Sequence, residues 1–456
     1  MTAPRDPTLT DRADARSILR LCGPLIINNL ATAGMMTADT VMSGQLGAGA
    51  LAAVAVGASY VTFFHLAGLG VLMALSPTVA HAYGAGRDGD IGGYVRQALW
   101  LALLMACIAV IGLAVAHPLL LAIGTPAAIA DLASRYVAAV AFGMPALFGF
   151  LALRFSSEGL GWTRPIIFTA VIALAVNITL NYVLMYGKLG FPALGAVGCG
   201  VATACTQWLI FGFMILYVRR HPRYRAYAPL ARFERPNPRK LREILRLGIP
   251  ICGSVLAEGA LFASAALIMG TFGATVIAAH AIAINYAALM FMVPLSIHSA
   301  TTIHVGHQIG AGNFERGRRA GWIGVALCVG IMTVSALVLV VARHGIAALY
   351  SDDAEVIALA AQLLLFAAIF QVADGLQVGA AGALRGFKDA RVPMILNLIA
   401  YWVVGFPLAY GFGVVAGFGA AAVWSGLIAG LVVCAIALTL RYRLVSGRTY
   451  QRSQVK

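Results

Sequence analysis

Long apolar runs separated by short polar clusters recur along the whole chain. They occupy roughly 18–42, 48–78, 95–116, 133–153, 165–186, 195–218, 244–269, 275–300, 319–342, 357–384, 393–412 and 417–440. Each is long enough to cross a hydrocarbon core about 30 Å thick. Within lipid only α-helices and closed β-barrels satisfy the backbone's polar groups. Barrel strands alternate in polarity over roughly ten residues, whereas these runs are longer and continuously apolar. The pattern therefore predicts an all-α integral membrane protein with twelve transmembrane helices.

Composition agrees with the pattern. Hydrophobic residues make up 61% of the 456 positions, charged residues only 11%, and the mean hydropathy is +0.88. A soluble protein of this size needs more charge to solvate its surface. The formal charge of +15 raises the question of nucleic acid, but the placement of the charges answers it. With the N-terminus on the cytoplasmic side, the N-terminal arm, the even-to-odd loops and the C-terminal tail hold all basic residues except Arg135, Lys188 and Arg343. That asymmetry is the positive-inside signature of a multi-pass protein of the cell's inner (plasma) membrane with both termini cytoplasmic; no nucleic-acid partner is expected. The most basic stretch, 219–243, reads as a solvated cytoplasmic linker, with a lipid head-group site as the alternative. No cleavable signal peptide is expected, because residues 1–17 are polar and no small-residue cleavage site follows the first apolar run. The seven cysteines lack metal-ligand spacing and read as small core residues.

Shifted against itself by 226 residues, the chain matches itself over some seventy positions, through the first two spans. Arg16, Leu19, Arg20 and Pro24 meet Arg242, Leu245, Arg246 and Pro250, and His81-x-x-Gly84-Ala85-Gly86 meets His307-x-x-Gly310-Ala311-Gly312. With a small shift, Arg154 and Gly159 parallel Arg385 and Gly386. Six spans per copy is an even number, so both copies enter the membrane from the same side, as parallel repeats about a pseudo-two-fold axis along the membrane normal. The expected organisation is a cytoplasmic arm (1–17), a six-helix bundle (18–218), the linker (219–243), a second six-helix bundle (244–440) and a cytoplasmic tail (441–456).

Three acids fall within apolar spans: Asp39, Glu258 and Asp374. An ionisable group at membrane depth costs several kcal/mol, so such groups face a cavity, bind or relay cations, or partner another buried polar group. Asn28, Thr32, Met35 and Asp39 share one face of the first helix. Gln371, Asp374 and Gln377 recur every three residues on the tenth, and Asn177 and Asn181 lie four apart on the fifth. Carboxylate and amide oxygens suit a hard cation such as Na⁺, while a carboxyl group alone serves a proton; buried asparagines equally serve as contacts between helices. Asp39, Asn177, Asn181 and Asp374 are the candidate Na⁺ ligands. Phe262, Asn285, Tyr286 and Met290, with Phe291, Met292, Gln371 and Gln377, are candidates for holding flat apolar cations, although aromatics and methionines on membrane helices more often contact lipid or neighbouring helices. His81 and His307 read as helix-end residues rather than proton relays, and Pro24, Pro145, Pro250 and Pro294 as sources of bending. No glycine run forms a phosphate-binding loop, so direct ATP use is not expected.

Several segments together resemble a known family: LCGPLIINNL, ADTVMSGQLGAGALAAVA, GHQIGAGN, VNITLNYVLMYGKLGFPALGAVGCGVATA, AEGALFASAALIMGTFGA followed three residues later by AAHAIAIN, and FQVADGLQVGAAGALRGFKD. Over residues 15–440 the chain is similar to the multidrug and toxic compound extrusion (MATE) transporters, with the NorM-like subgroup the best match. The resemblance implies a V-shaped pair of six-helix lobes and H⁺- or Na⁺-coupled export of lipophilic, mainly cationic drugs, with no other cofactor. It also implies that Asp39, Asn177, Asn181, Glu258 and Asp374 take part in cation coupling. The expected partners are small organic cations and membrane lipids, and the expected form is a monomer. Two alternatives were weighed. A lipid-linked oligosaccharide flippase would favour a cationic cavity, whereas the embedded charges here are acidic. A membrane-embedded enzyme would need clustered Asp, His or Cys at one membrane face, and the one outer acidic cluster, Asp352, Asp353 and Glu355, reads as a solvated loop.

Overall fold

The computed structural model describes residues 11–230 and 234–454, with side chains to 449. The described chain is helical throughout its apolar runs. In order, the helices are α1 (Asp11–Gln45), α2 (Ala48–Leu72), α3 (Leu75–Gly84), α4 (Asp88–Ala114), α5 (Ala116–Ala122), α6 (Ala127–Ala141), α7 (Met144–Gly159), α8 (Arg164–Tyr186) and α9 (Ala196–Arg220). There follow α10 (Pro238–Gly270), α11 (Ala274–Gly310), α12 (Phe314–Ala348), α13 (Ala354–Gly386), α14 (Arg391–Leu398), α15 (Phe406–Tyr410) and α16 (Gly419–Gln454). Among the described residues eleven spans are long and apolar enough to cross a membrane, and counting α6 with α7, bent by 46°, as one span makes twelve. The chain is a multi-pass membrane protein. Its outward faces carry large apolar side chains in the open, including Ile111, Leu337 and Val341 (87% exposed), as lipid-facing positions do.

The repeat is visible in the helix ends. The stretch 48–84 and its counterpart α11 start and stop at the same register of the two copies. Both end in the same turn: the carbonyl of His81 accepts from Ala85 N–H and that of His307 from Ala311 N–H, each at 3.0 Å. Gly86 and Gly312 then follow in the left-handed region at φ 69° and 82°, which only glycine enters without strain. The histidines thus stand at helix ends, as their place in the repeat suggests.

Contacts divide the described chain into two compact units. One is Ile27–Cys252; the other combines 11–26 with 253–454. The divisions fall inside α1 and α10, close to Pro24 and Pro250, at equivalent points of the repeat.

In the first unit, α2 packs on α6, α4 on α7, and α9 on both α6 and α8. The fourth span runs further than its apolar core, to Gly159, because Pro145 opens α7 at its first turn and restarts the helix after the bend. The linker is not simply solvated. Arg96 of α4 donates through Nε to Glu234 Oε2 at 2.6 Å and through Nη1 to the Ala228 carbonyl at 3.0 Å. Gln97 binds Arg235 O and Asn237 N–H, while Trp100 Nε1 donates to Glu234 O. The Arg232 part of the expected linker lies outside the described residues.

In the second unit, α13 lies against α11, α12 and α16. Close packing rather than the hydrophobic effect holds helices together in lipid, and small residues mark the crossings. A Cβ on Gly426 of α16 would collide with the backbone of Ala409 on α15. Residues Ile399–Gly405 and Gly411–Val415, either side of α15, are wound as π-helix, a form that is rare and concentrates at functional sites. Asp14 is buried and accepts from His304 Nε2 at 2.9 Å and Arg316 Nη2 at 2.8 Å, tying the start of α1 to α11 and α12.

Candidate functional site

Each unit carries its own buried acidic centre. In the first, the 3.6-residue period of α8 places Asn177 and Asn181 on one face, and both are buried. Asn181 Nδ2 donates to Asp39 Oδ1 at 2.5 Å and lies 3.3 Å from Asn177 Oδ1. Asn177 and Cys199 of α9 also close on the Asp39 carboxyl group. The Asn181 Oδ1 atom is buried with no hydrogen-bond partner. The Asp39 carboxyl group and two amide side chains therefore gather in one place, with the Asn181 amide nitrogen, not its oxygen, facing the other two.

Asn28 and Thr32, read from the sequence as one polar face with Asp39, do not join this group. The Thr32 hydroxyl donates back to the Asn28 carbonyl at 2.9 Å. Asn28, with its amide oxygen turned toward α7, accepts from both terminal nitrogens of Arg154 at 3.1 and 3.2 Å. Arg154 Nε in turn donates to Glu158 Oε1 at 2.8 Å, and the Glu158 side chain is 2% exposed. Glu158 is a further buried acid, which the sequence pattern missed because the apolar run stops at Leu153. The available signal was Arg154 and Glu158 four residues apart, opposite charges on one helix face.

The second centre lies around α13. Asp374 is 3% exposed, and among the described residues no basic side chain pairs with it. Glu258 of α10 is half-buried and within electrostatic range of both Asp374 and Arg385. The surroundings are rich in buried polar atoms with no hydrogen-bond partner. Both ends of the Gln371 amide and Trp424 Nε1 are in this state, while the Tyr401 hydroxyl and the Gln377 side chain close on the Cys434 thiol. Buried polar groups are nearly always satisfied, so these atoms single out this region as the candidate site of the second unit. Tyr401 sits in the π-helical stretch and was not singled out from the sequence; only the aromatic run around it hinted at it.

The predicted substrate residues separate into two groups. Phe262 packs edge-on to Phe370, whose ring meets Trp424 in the same way. This places Phe262 of α10 against Phe370 of α13. Asn285 is exposed and accepts from the Tyr350 hydroxyl at 3.1 Å, on the wall of a cavity of about 350 Å³ that also includes Ala281 and Ser351. Tyr286 and Met290, half-buried on α11, fall outside that lining. Among the described residues no three of His, Cys, Asp or Glu gather as a metal centre.

The MatE family profile matches residues 24–183 and 250–411, one segment in each copy of the repeat and together well over half of the chain. The chain belongs to the MatE family. It is 41% identical over 98% of its length to a probable multidrug resistance protein NorM of Xanthomonas axonopodis pv. citri, covering 98% of that protein. It is 40% identical to the multidrug resistance protein PmpM of Pseudomonas aeruginosa (94% of this chain, 91% of that one) and 40% identical to NorM of Vibrio vulnificus (94% and 95%). Its fold matches a crystal structure of MATE in the bent conformation with a TM-score of 0.89 at 22% identity, over 97% of this chain and 98% of that one. It also matches the eukaryotic MATE transporter AtDTX14 with a TM-score of 0.87 at 20% identity, over 97% and 99%. The NorM-like family membership and the all-helical twelve-span fold read from the sequence are thus both shown.

Proposed function

We propose that this MatE-family protein is an H⁺- or Na⁺-coupled antiporter of the inner membrane, with cytoplasmic termini, that exports lipophilic, mainly cationic compounds. Its relatives' names as multidrug resistance proteins support the export of drugs. The observation that carries the coupling is the pair of buried acidic centres, above all Asp374, which among the described residues has no basic partner and lies on the same helix as the unsatisfied Gln371 amide.

The chemistry follows from electrostatics. A bare carboxylate in this setting is costly, so each centre favours taking up one cation from the side it faces. At Asp39, Asn181 Nδ2 now holds the carboxylate. Rotation of that amide would present its unsatisfied oxygen beside the Asp39 and Asn177 oxygens, a set suited to Na⁺. A proton on Asp39 needs no such rotation. Either ion neutralises the acid and removes its attraction for an organic cation, which is then released. Each charge moving inward contributes about 2.3 kcal/mol per 100 mV of membrane potential. The Phe262–Phe370–Trp424 rings supply aromatic faces for a flat cation.

Glu258→Gln and Asp374→Asn are each expected to abolish efflux of a fluorescent cationic dye from cells while membrane insertion stays normal. Wild-type efflux in either variant removes that residue from the mechanism.

A further inference from the structure

At the end of α7 and the start of α8 two arginines share one aromatic ring. The Arg223 guanidinium lies 4.3 Å from the centre of the Trp162 indole and that of Arg164 lies 5.2 Å from it. Both arginines are exposed, and among the described residues neither has a carboxylate partner. Two like charges gathered on one ring repel each other, and the ring's quadrupole offsets this only in part. The arrangement is nonetheless fixed in place. Trp162 Nε1 donates to the Tyr217 hydroxyl at 3.2 Å, and Tyr217 stacks on His221 with centroids 5.0 Å apart. Beside them the buried Tyr224 donates to Ser157 Oγ at 2.8 Å, pinning the segment that carries Arg223 to α7. A rigid pair of unneutralised guanidinium groups is a site for an anion with several oxygens.

The surrounding surface says which anion. Arg164 opens α8, and Phe168 and Val171, four and seven residues on along the same face, are both 55% exposed. On α9 the exposed Leu209 and Leu216 lead up to Tyr217. Both cationic ends thus continue directly into lipid-facing surface, and Trp and Tyr mark the interfacial depth. An apolar tail below and a phosphate above is the chemistry of an anionic phospholipid.

We infer that Trp162, Arg164 and Arg223 form a binding site for the head group of an anionic phospholipid, with the acyl chains along the Phe168 face of α8. The lysine and arginine distribution puts this site in the cytoplasmic leaflet, but the site itself stands without the proposed transport reaction.

The test is native mass spectrometry of the full chain released from nanodiscs of phosphatidylcholine with and without phosphatidylglycerol. The wild type should retain phosphatidylglycerol in preference to phosphatidylcholine. Arg164→Gln/Arg223→Gln should hold it about a hundredfold more weakly, a factor of about ten for each charge-assisted contact. Arg443→Gln/Arg448→Gln, which removes two exposed tail charges, should match the wild type. If the double glutamine variant does not fold, Arg164→Lys/Arg223→Lys keeps the charges without the planar stack and should still weaken binding. Equal retention by wild type and site variants overturns the proposal, as does an equal loss in the tail variant. Displacement of the lipid by inorganic phosphate, with phosphate alone binding as well, overturns the assignment to lipid. Dye efflux recorded on the same preparations keeps a failure of transport distinct from a failure of lipid binding.

Discussion

Glu158→Ala should be among the most destabilising single changes in the first unit. The pair it breaks joins Arg154 and Glu158 at 2.8 Å, with side chains 15% and 2% exposed. An exposed pair at this spacing contributes only about 0.3–0.5 kcal/mol, and Arg ahead of Glu is the poorer orientation for an isolated helix. Burial changes the balance. Removing one member of a buried pair strands the other, at about 3–5 kcal/mol. Here the stranded guanidinium would keep Asn28 and the Phe155 ring, neither of which carries a compensating charge. Replacing both partners by apolar residues, as in Arg154→Met/Glu158→Leu, leaves no uncompensated charge and should cost much less. The cycle of Arg154→Met, Glu158→Leu and their double variant, read by reversible unfolding in mixed micelles, should therefore show a coupling of at least about 2 kcal/mol. A Glu158→Ala loss below about 0.5 kcal/mol would refute the reasoning, because it would mean that the pair behaves as a solvated one.

Three further outcomes are expected. Burial alone would raise the Asp14 carboxyl group, but the hydrogen bonds and charge of His304 and Arg316 outweigh it and hold Asp14 below its ordinary range. A lowered carboxyl contributes stability that is present above the ordinary carboxylate pKa of about 4 and is lost as pH falls through the lower folded value. Thermal unfolding should thus show Asp14→Asn less stable than wild type by a steady margin above about pH 5, with the gap closing in stronger acid; a gap that widens in acid contradicts this. Gly426→Ala, which drives a methyl group into the Ala409 backbone, should cost about 1–3 kcal/mol in the same unfolding measurement, and an unchanged midpoint would show that the crossing can open freely. Gln371→Leu removes an amide unsatisfied at both ends, so it should leave stability equal or higher while dye efflux falls at least about tenfold; normal efflux would count against a role for Gln371 in the second centre.

The scaffold was legible in the sequence because lipid imposes one rule: every apolar run long enough to span must close its hydrogen bonds as a helix. The turns repeat for an equally simple reason, since Gly86 and Gly312 must enter a region that other residues avoid. Periodicity also brought Asn177 and Asn181 to one face. What it could not say is which other helix they meet, and the link from Asn181 to Asp39 is tertiary. The same limit explains why Asn28 was grouped with Asp39, although it turns to Arg154 instead. Glu158 was missed because hydropathy ends a span where charge begins, whereas a paired charge can continue one. Tyr401 was missed because π-helical winding shifts the face that a 3.6-residue period would assign.

The central claim is that buried acids couple the movement of a small cation to export. Dye transport in proteoliposomes, driven first by an imposed Na⁺ gradient and then by an imposed H⁺ gradient, tests it most directly when wild type is compared with Asp39→Asn and Asp374→Asn. One of the two gradients should drive uphill dye movement by the wild type, and each variant should lose that movement under the same gradient. Full gradient-driven transport in both variants, or wild-type transport indifferent to both gradients, would contradict the account.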